Sequence, residues 1–114
     1  MAHTTVSAAH VQECIVECDS CHDVCVETIG YGLAAGGRLA DAAHLTLLMD
    51  CAQICQTAAD FMLRGSTLHT STCRTCAEVC EACARSCERL DSPEMRTCAD
   101  ACRRCAESCR AMAG

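Results

Sequence analysis

C-R-T-C-A-E-V-C-E-A-C-A-R-S-C, residues 73 to 87, places a thiol at Cys73, Cys76, Cys80, Cys83 and Cys87, a spacing of three, four, three and four. That alternation is the a and d seam of an amphipathic α-helix, with cysteine where a bundle ordinarily carries leucine. The same pattern recurs outward in both directions. Cys14, Cys18, Cys21 and Cys25 step by four, three and four, as do Cys98, Cys102, Cys105 and Cys109; Cys51 and Cys55 add one further step of four. All 15 cysteines of the chain therefore fall on helical seams.

A chain of 114 residues has room for one core, so a single domain spanning residues 1–114 is expected. Hydrophobic residues make up 51% only when cysteine is counted, so the interior must be built substantially from sulfur. There is one Tyr, one Phe and no Trp, which leaves base-stacking recognition of nucleic acid nothing to work with. The net charge of -6, with nine dispersed arginines as the only basic side chains, likewise argues against a phosphate-binding surface. The N-terminal stretch shows neither a basic start nor an apolar run with a cleavage site, and no stretch approaches the roughly 18 apolar residues of a membrane span. A cytoplasmic protein without membrane or nucleic-acid partners is the expectation.

Cysteine this dense usually signals an oxidised, secreted scaffold. Here the count is odd, and neighbouring thiols sit three or four apart on one helix. Such positions have Cβ atoms about 5–6 Å apart, whereas a disulfide needs about 3.5–4.5 Å. A reduced thiol store fits better.

Four helices are predicted, over about residues 7–35, 41–64, 67–90 and 93–112. Gly36-Gly37 and Gly65 act as stops, Asp41 and Ser92 as N-caps, and Pro93 occupies a first helical position. Short connections between long amphipathic helices imply an all-α, antiparallel up-down-up-down four-helix bundle with a Cys-lined core. The inner line of the second helix reads His44, Leu48, Cys51, Cys55, Ala58 and Met62, and Leu45, Leu47, Met49, Ala52, Ile54, Ala59, Phe61 and Leu63 form a second apolar surface that suits either a subunit contact or a broad core face. Glu81 with Arg85, Asp100 with Arg104 and Arg103 with Glu107 are spaced for exposed ion pairs along a helix.

Facing seams bring sulfurs together along the bundle axis, and thiolates select Cu(I), zinc or iron-sulfur clusters over hard cations. Zinc favours closed tetrahedra from knuckles on turns, and a rigid helix is not expected to wrap successive cysteines around one ion. The loop motifs of iron-sulfur proteins are absent. Cu(I) is satisfied by two or three thiolates that bridge neighbouring ions, giving a limit of about one ion per cysteine. The reading is a non-enzymatic store of multiple Cu(I) ions; a zinc or general soft-metal buffer and a thiol redox protein are the alternatives. No nucleotide loop and no base oriented by a partner points to catalysis. Alternating helix direction puts Met62, His69, Met112 and His10 toward one bundle end, and His44 and Met95 toward the other, where histidine or thioether could add metal ligands. His22 lies off the seam, and His3 is expected to be disordered.

These residues resemble the bacterial copper storage proteins, in particular the cytosolic branch of that family. The likeness rests on E-C-I-V-E-C-D-S-C-H-D-V-C at 13–25, D-C-A-Q-I-C-Q-T-A-A-D-F-M-L-R-G-S at 50–66, and the 73–87 stretch with the seam that follows it. The resemblance implies a four-helix bundle loading many Cu(I) ions through the 15 seam cysteines, assembled as a homotetramer. Gly32 departs from it, standing on the seam where some relatives carry a further cysteine.

Overall fold

The computed structural model describes residues 8–113; Ser7 and His3 lie outside them. Four helices make up the fold: α1 (Ala8–Ala35), α2 (Ala42–Leu63), α3 (His69–Glu88) and α4 (Pro93–Ala113). Each boundary has a local cause. At Gly65 the backbone turns left-handed with φ of 69°, Ser66 N–H reaches Phe61 O at 3.0 Å and Gly65 N–H reaches Met62 O at 3.1 Å, the paired bonds of a Schellman stop. Asp41 caps α2 by accepting the His44 N–H at 3.3 Å. Ser92 Oγ accepts the Met95 N–H at 3.3 Å at the head of α4, where Pro93 has no N–H to leave unpaired.

Two features depart from the sequence expectations. The link between α1 and α2, for which the sequence predicts no element, is ordered as a 3-10 helix, Gly37–Ala40; α1 itself ends at Ala35 as expected and turns at Gly36, where φ is 73°. Arg103, Arg104 and Arg110 of α4 also pair across helices instead of along their own. Arg103 holds Glu88 through two hydrogen bonds of 3.1 and 2.8 Å, Arg110 holds Glu81 in the same forked manner, and Arg104 reaches Glu17 at 3.6 Å. A planar guanidinium gains more from a fork on one carboxylate than from a single-contact neighbour one turn away.

Each helix packs on its two neighbours in the order α1, α2, α3, α4 and back to α1; among the described residues the diagonal pairs α1 with α3 and α2 with α4 make no backbone approach. The Cα trace is 19 × 19 Å in cross-section. Buried alanines, including Ala52, Ala59, Ala77, Ala84, Ala99 and Ala106, let adjacent helices come close. Closeness along the sides leaves the centre to the thiols. Larger side chains close the ends: His44, Leu48, Leu90 and Met95 at one, Met62 and Met112 at the other, all buried.

Candidate metal centre

Every one of the 15 cysteines is fully shielded from solvent and none is in a disulfide. Seam periodicity alone explains the burial, since a and d positions of all four helices face one axis. The geometry between helices is what makes a site. Cys21 Sγ lies 3.8 Å from Cys51 and 3.7 Å from Cys102; Cys51 lies 3.6 Å from Cys80 and 3.8 Å from Cys102; Cys55 lies 3.7 Å from Cys80 and 3.8 Å from Cys105. The shortest of these far exceeds the roughly 2.05 Å of an S–S bond, so they are contacts between free thiols. Cys51 with Cys102 and Cys55 with Cys105 span the α2 to α4 diagonal that the backbones leave open.

The thiols gather into five groups whose sulfurs all lie within 4.8 Å of one another. In order along the axis these are Cys14, Cys73 and Cys109; Cys18, Cys76, Cys105 and Cys109; Cys21, Cys55, Cys80 and Cys105; Cys21, Cys25, Cys51 and Cys102; and Cys25, Cys83, Cys98 and Cys102. Each group shares at least one sulfur with the next. The result is a continuous column in which a bridging thiolate can belong to two ions. Cys87 is as buried as the others but stands outside these groups at the His44 end.

Protonation is shared along the column. Hydrogen bonds from Cys102 and then Cys105 draw the Cys21 thiol far below its usual range. Cys102, Cys21 and Cys51, followed by burial, push the Cys25 thiol far up. A thiolate formed at one position is held by the S–H donors around it, which in turn keep their protons. Metal ions that bind must displace those protons, so loading and deprotonation are linked.

The bundle ends sort the remaining sequence candidates. His44 and Met95 are brought together, with His44 Nε2 3.2 Å from Met95 Sδ and His44 Nδ1 2.7 Å from Ser86 Oγ. Burial lowers the imidazole pKa, which favours the neutral ring. A thioether only accepts, so Nε2 carries the proton and Nδ1 accepts from Ser86, whose oxygen also receives Arg89 at 3.2 Å. Both ring nitrogens are thus engaged, and ligation by His44 would require this arrangement to open. At the other end Met62 Sδ lies 3.9 Å from Cys73 Sγ, and Met62 and His69 line one pocket with Val11 and Ser66. Met112 is buried. His10 instead lines the outer groove between α1 and α4 with Glu13, Glu17, Arg104 and Glu107. His22 is half-buried and its Nδ1 lies 2.9 Å from Asp23, away from the column. Ser86 is the participant that sequence reasoning missed; a serine next to a seam cysteine carries no signal until the partner helix is placed.

Such an interior belongs to a class of bundle that offers soft metal ions a chain of thiolate ligands closed off from water. The model of the copper storage protein family matches residues 3–114, and the chain belongs to that family. A Bacillus subtilis (strain 168) relative, the uncharacterized cysteine-rich protein YhjQ, is 34% identical over 80 residues, covering 69% of this chain and 67% of that protein. Among solved structures, a crystal structure from Nitrosospira multiformis superposes with a TM-score of 0.90 at 46% identity, covering 94% of this chain and 97% of that one. The Cu(I)-bound copper storage protein BsCsp3 follows with a TM-score of 0.88 at 32% identity, covering 92% and 99% of the two chains. The apo form of copper storage protein 3 from Bacillus subtilis gives 0.85 at 34%, with 90% and 98% covered.

Proposed function

We propose that this chain is a non-enzymatic Cu(I) store of the cytoplasm, folded as one domain over residues 1–114, in which the 15 cysteine thiolates hold multiple Cu(I) ions inside the bundle. The observation that carries the reading is the unbroken column of sulfur groups, each sharing a member with the next. Shared sulfurs suit a monovalent ion of low coordination number, because one Cu(I) per thiolate leaves the buried column uncharged and desolvation is then least costly. A Cu(I)-bound relative of the same fold supports the choice of metal. Free buried thiols support a reducing compartment. No described helix is long and apolar enough to cross a membrane.

His44 with Met95 at one end, and Met62, His69 and Met112 at the other, are the residues through which copper would first be taken up, with His10 further out on the α1 and α4 groove. Assembly as a homotetramer is supported by apolar side chains left exposed on the first two helices, Val16, Val26 and Leu33 on α1 and Met49 and Leu63 on α2.

Anaerobic titration of the fully reduced protein with Cu(I) against a competing chelator tests the reading. Tight uptake approaching one Cu(I) per thiol is expected. Saturation at one or two ions would return the seams to packing or to a single discrete site.

A further inference from the structure

We propose that the thiol column is also a receptor for thiophilic divalent cations of the zinc and cadmium class, with two closed four-sulfur sites per chain; this rests on the apo geometry and stands whether or not Cu(I) is stored. A tetrahedral ion with Zn–S bonds of about 2.3 Å needs sulfurs about 3.8 Å apart along each edge. Several edges of each group already stand near that separation, and all lie within 4.8 Å. Within Cys21, Cys25, Cys51 and Cys102 the spacings include 3.8, 3.7, 4.0 and 3.8 Å. Within Cys18, Cys76, Cys105 and Cys109 they include 3.7, 3.7 and 3.9 Å. An ion of this class enters either group with sulfur shifts of at most about 1 Å and no movement of helices.

One rigid helix by itself cannot wrap successive cysteines around a zinc-class ion. The fold removes that limit. Each of these groups recruits three helices, and even two sulfurs one turn apart on α3, Cys76 and Cys80, approach to 3.8 Å. Sulfurs reach what the Cβ spacing denies to a disulfide, because the metal stands between them.

Stoichiometry follows from overlap. Taken along the axis, the four groups of four thiols share Cys105, then Cys21, then Cys25 and Cys102. Only two can be filled without sharing a sulfur. A divalent ion in four thiolates leaves two buried negative charges, so bridged filling beyond two is opposed where Cu(I) filling is not. Later ions must share sulfurs, or take the three-thiol group Cys14, Cys73 and Cys109, which is free only while the four-thiol group that also contains Cys109 is empty, and they bind more weakly.

The test is anaerobic titration of the reduced apoprotein with Co(II), read by its ligand-field and sulfur-to-metal charge-transfer bands, followed by displacement with Zn(II) or Cd(II). Four-sulfur tetrahedral bands should rise linearly to two equivalents and break there, and two equivalents of Zn(II) should erase them. Cys102→Ser removes two overlapping groups and leaves two that share Cys105, so one closed site should survive; Cys105→Ser should do the same from the other side. The double variant should have none, and Cys87→Ser should keep both. Far-ultraviolet circular dichroism of each apo variant checks the fold, and the single variants decide the matter if the double variant loses helicity. Cu(I) uptake by the same proteins reads the storage function separately, since removing two of the thiols should cost only about two ions. Absence of four-sulfur Co(II) bands in the unaltered protein, a break at another stoichiometry, or a folded double variant that keeps those bands would overturn the proposal.

Discussion

Gly32 is buried on the α1 seam under the 3-10 helix, and a Cβ built on it would stand 2.5 Å from the backbone oxygen of Leu39 and 3.3 Å from Leu45 Cδ2. Ordinary contact begins near 3.4 Å, so Gly32→Ala forces the Gly37–Ala40 segment outward by close to 1 Å. Overpacking of this kind costs about 1–3 kcal/mol. Replacing a mid-helix glycine by alanine returns about 1 kcal/mol of helix propensity. The balance is a net loss of about 0–2 kcal/mol, centred near 1, or a Tm lowered by roughly 4–8 °C at that centre in a domain of this size. Gly30, two residues earlier on the same helix, has nothing within 4 Å of its notional Cβ. Gly30→Ala should therefore show the propensity gain alone and raise Tm. Thermal melts of the two apo variants, in reductant and without metal, make the comparison free of differences in ligation. Equal stabilisation by both would refute the packing of the 3-10 helix on Gly32. Gly32→Cys should follow Gly32→Ala in stability, so a sixteenth thiol is not accommodated at this position without displacing that segment.

Other expected outcomes follow from the same structure. Leu48 is fully buried beside His44 at the closed end, and Leu48→Ala should destabilise the apoprotein by about 2–5 kcal/mol in denaturant titration; a loss below 1 kcal/mol would mean that the end collapses around the gap. Hydrogen bonding from Arg110 and Arg103 holds the Glu81 and Glu88 carboxyls below their ordinary range. Because the folded values are depressed, this contribution is present above the unfolded carboxylate pKa and is lost as pH falls through the folded one, so Arg110→Ala with Arg103→Ala should flatten the acid limb of stability against pH; an unchanged limb would refute it. Cu(I) loading at neutral pH should acidify an unbuffered solution by one proton for each ligating thiol that still carries one, fewer than one per thiol overall because positions such as Cys21 are held as thiolates, and a pH-stat trace without acid release would show that the thiols are not the ligands. Stripping Cu(I) from the loaded protein with a chelator should lower Tm, since ions bound only by the folded state add to its stability.

The helices and their inward faces were legible in the chain because their causes are local. A three-four alternation of cysteine has one meaning on a helix, and Asp41, Gly65 and Ser92-Pro93 act through hydrogen bonds reaching no further than a turn away. Family membership was legible for the same reason, since it rests on the seam. What period and capping cannot encode is the stagger of one helix against another. That stagger alone decided that Cys21 and Cys25 join Cys51 and Cys102, that Cys87 stands outside the groups, and that Ser86 turns His44 toward Met95. It also decided that Arg103 and Arg110 reach α3 and Arg104 reaches α1 instead of their own helix. Distances between sulfurs on different helices depend on how the alanine-lined sides pack, a property of all four helices at once, and those distances determine which metals the column can hold.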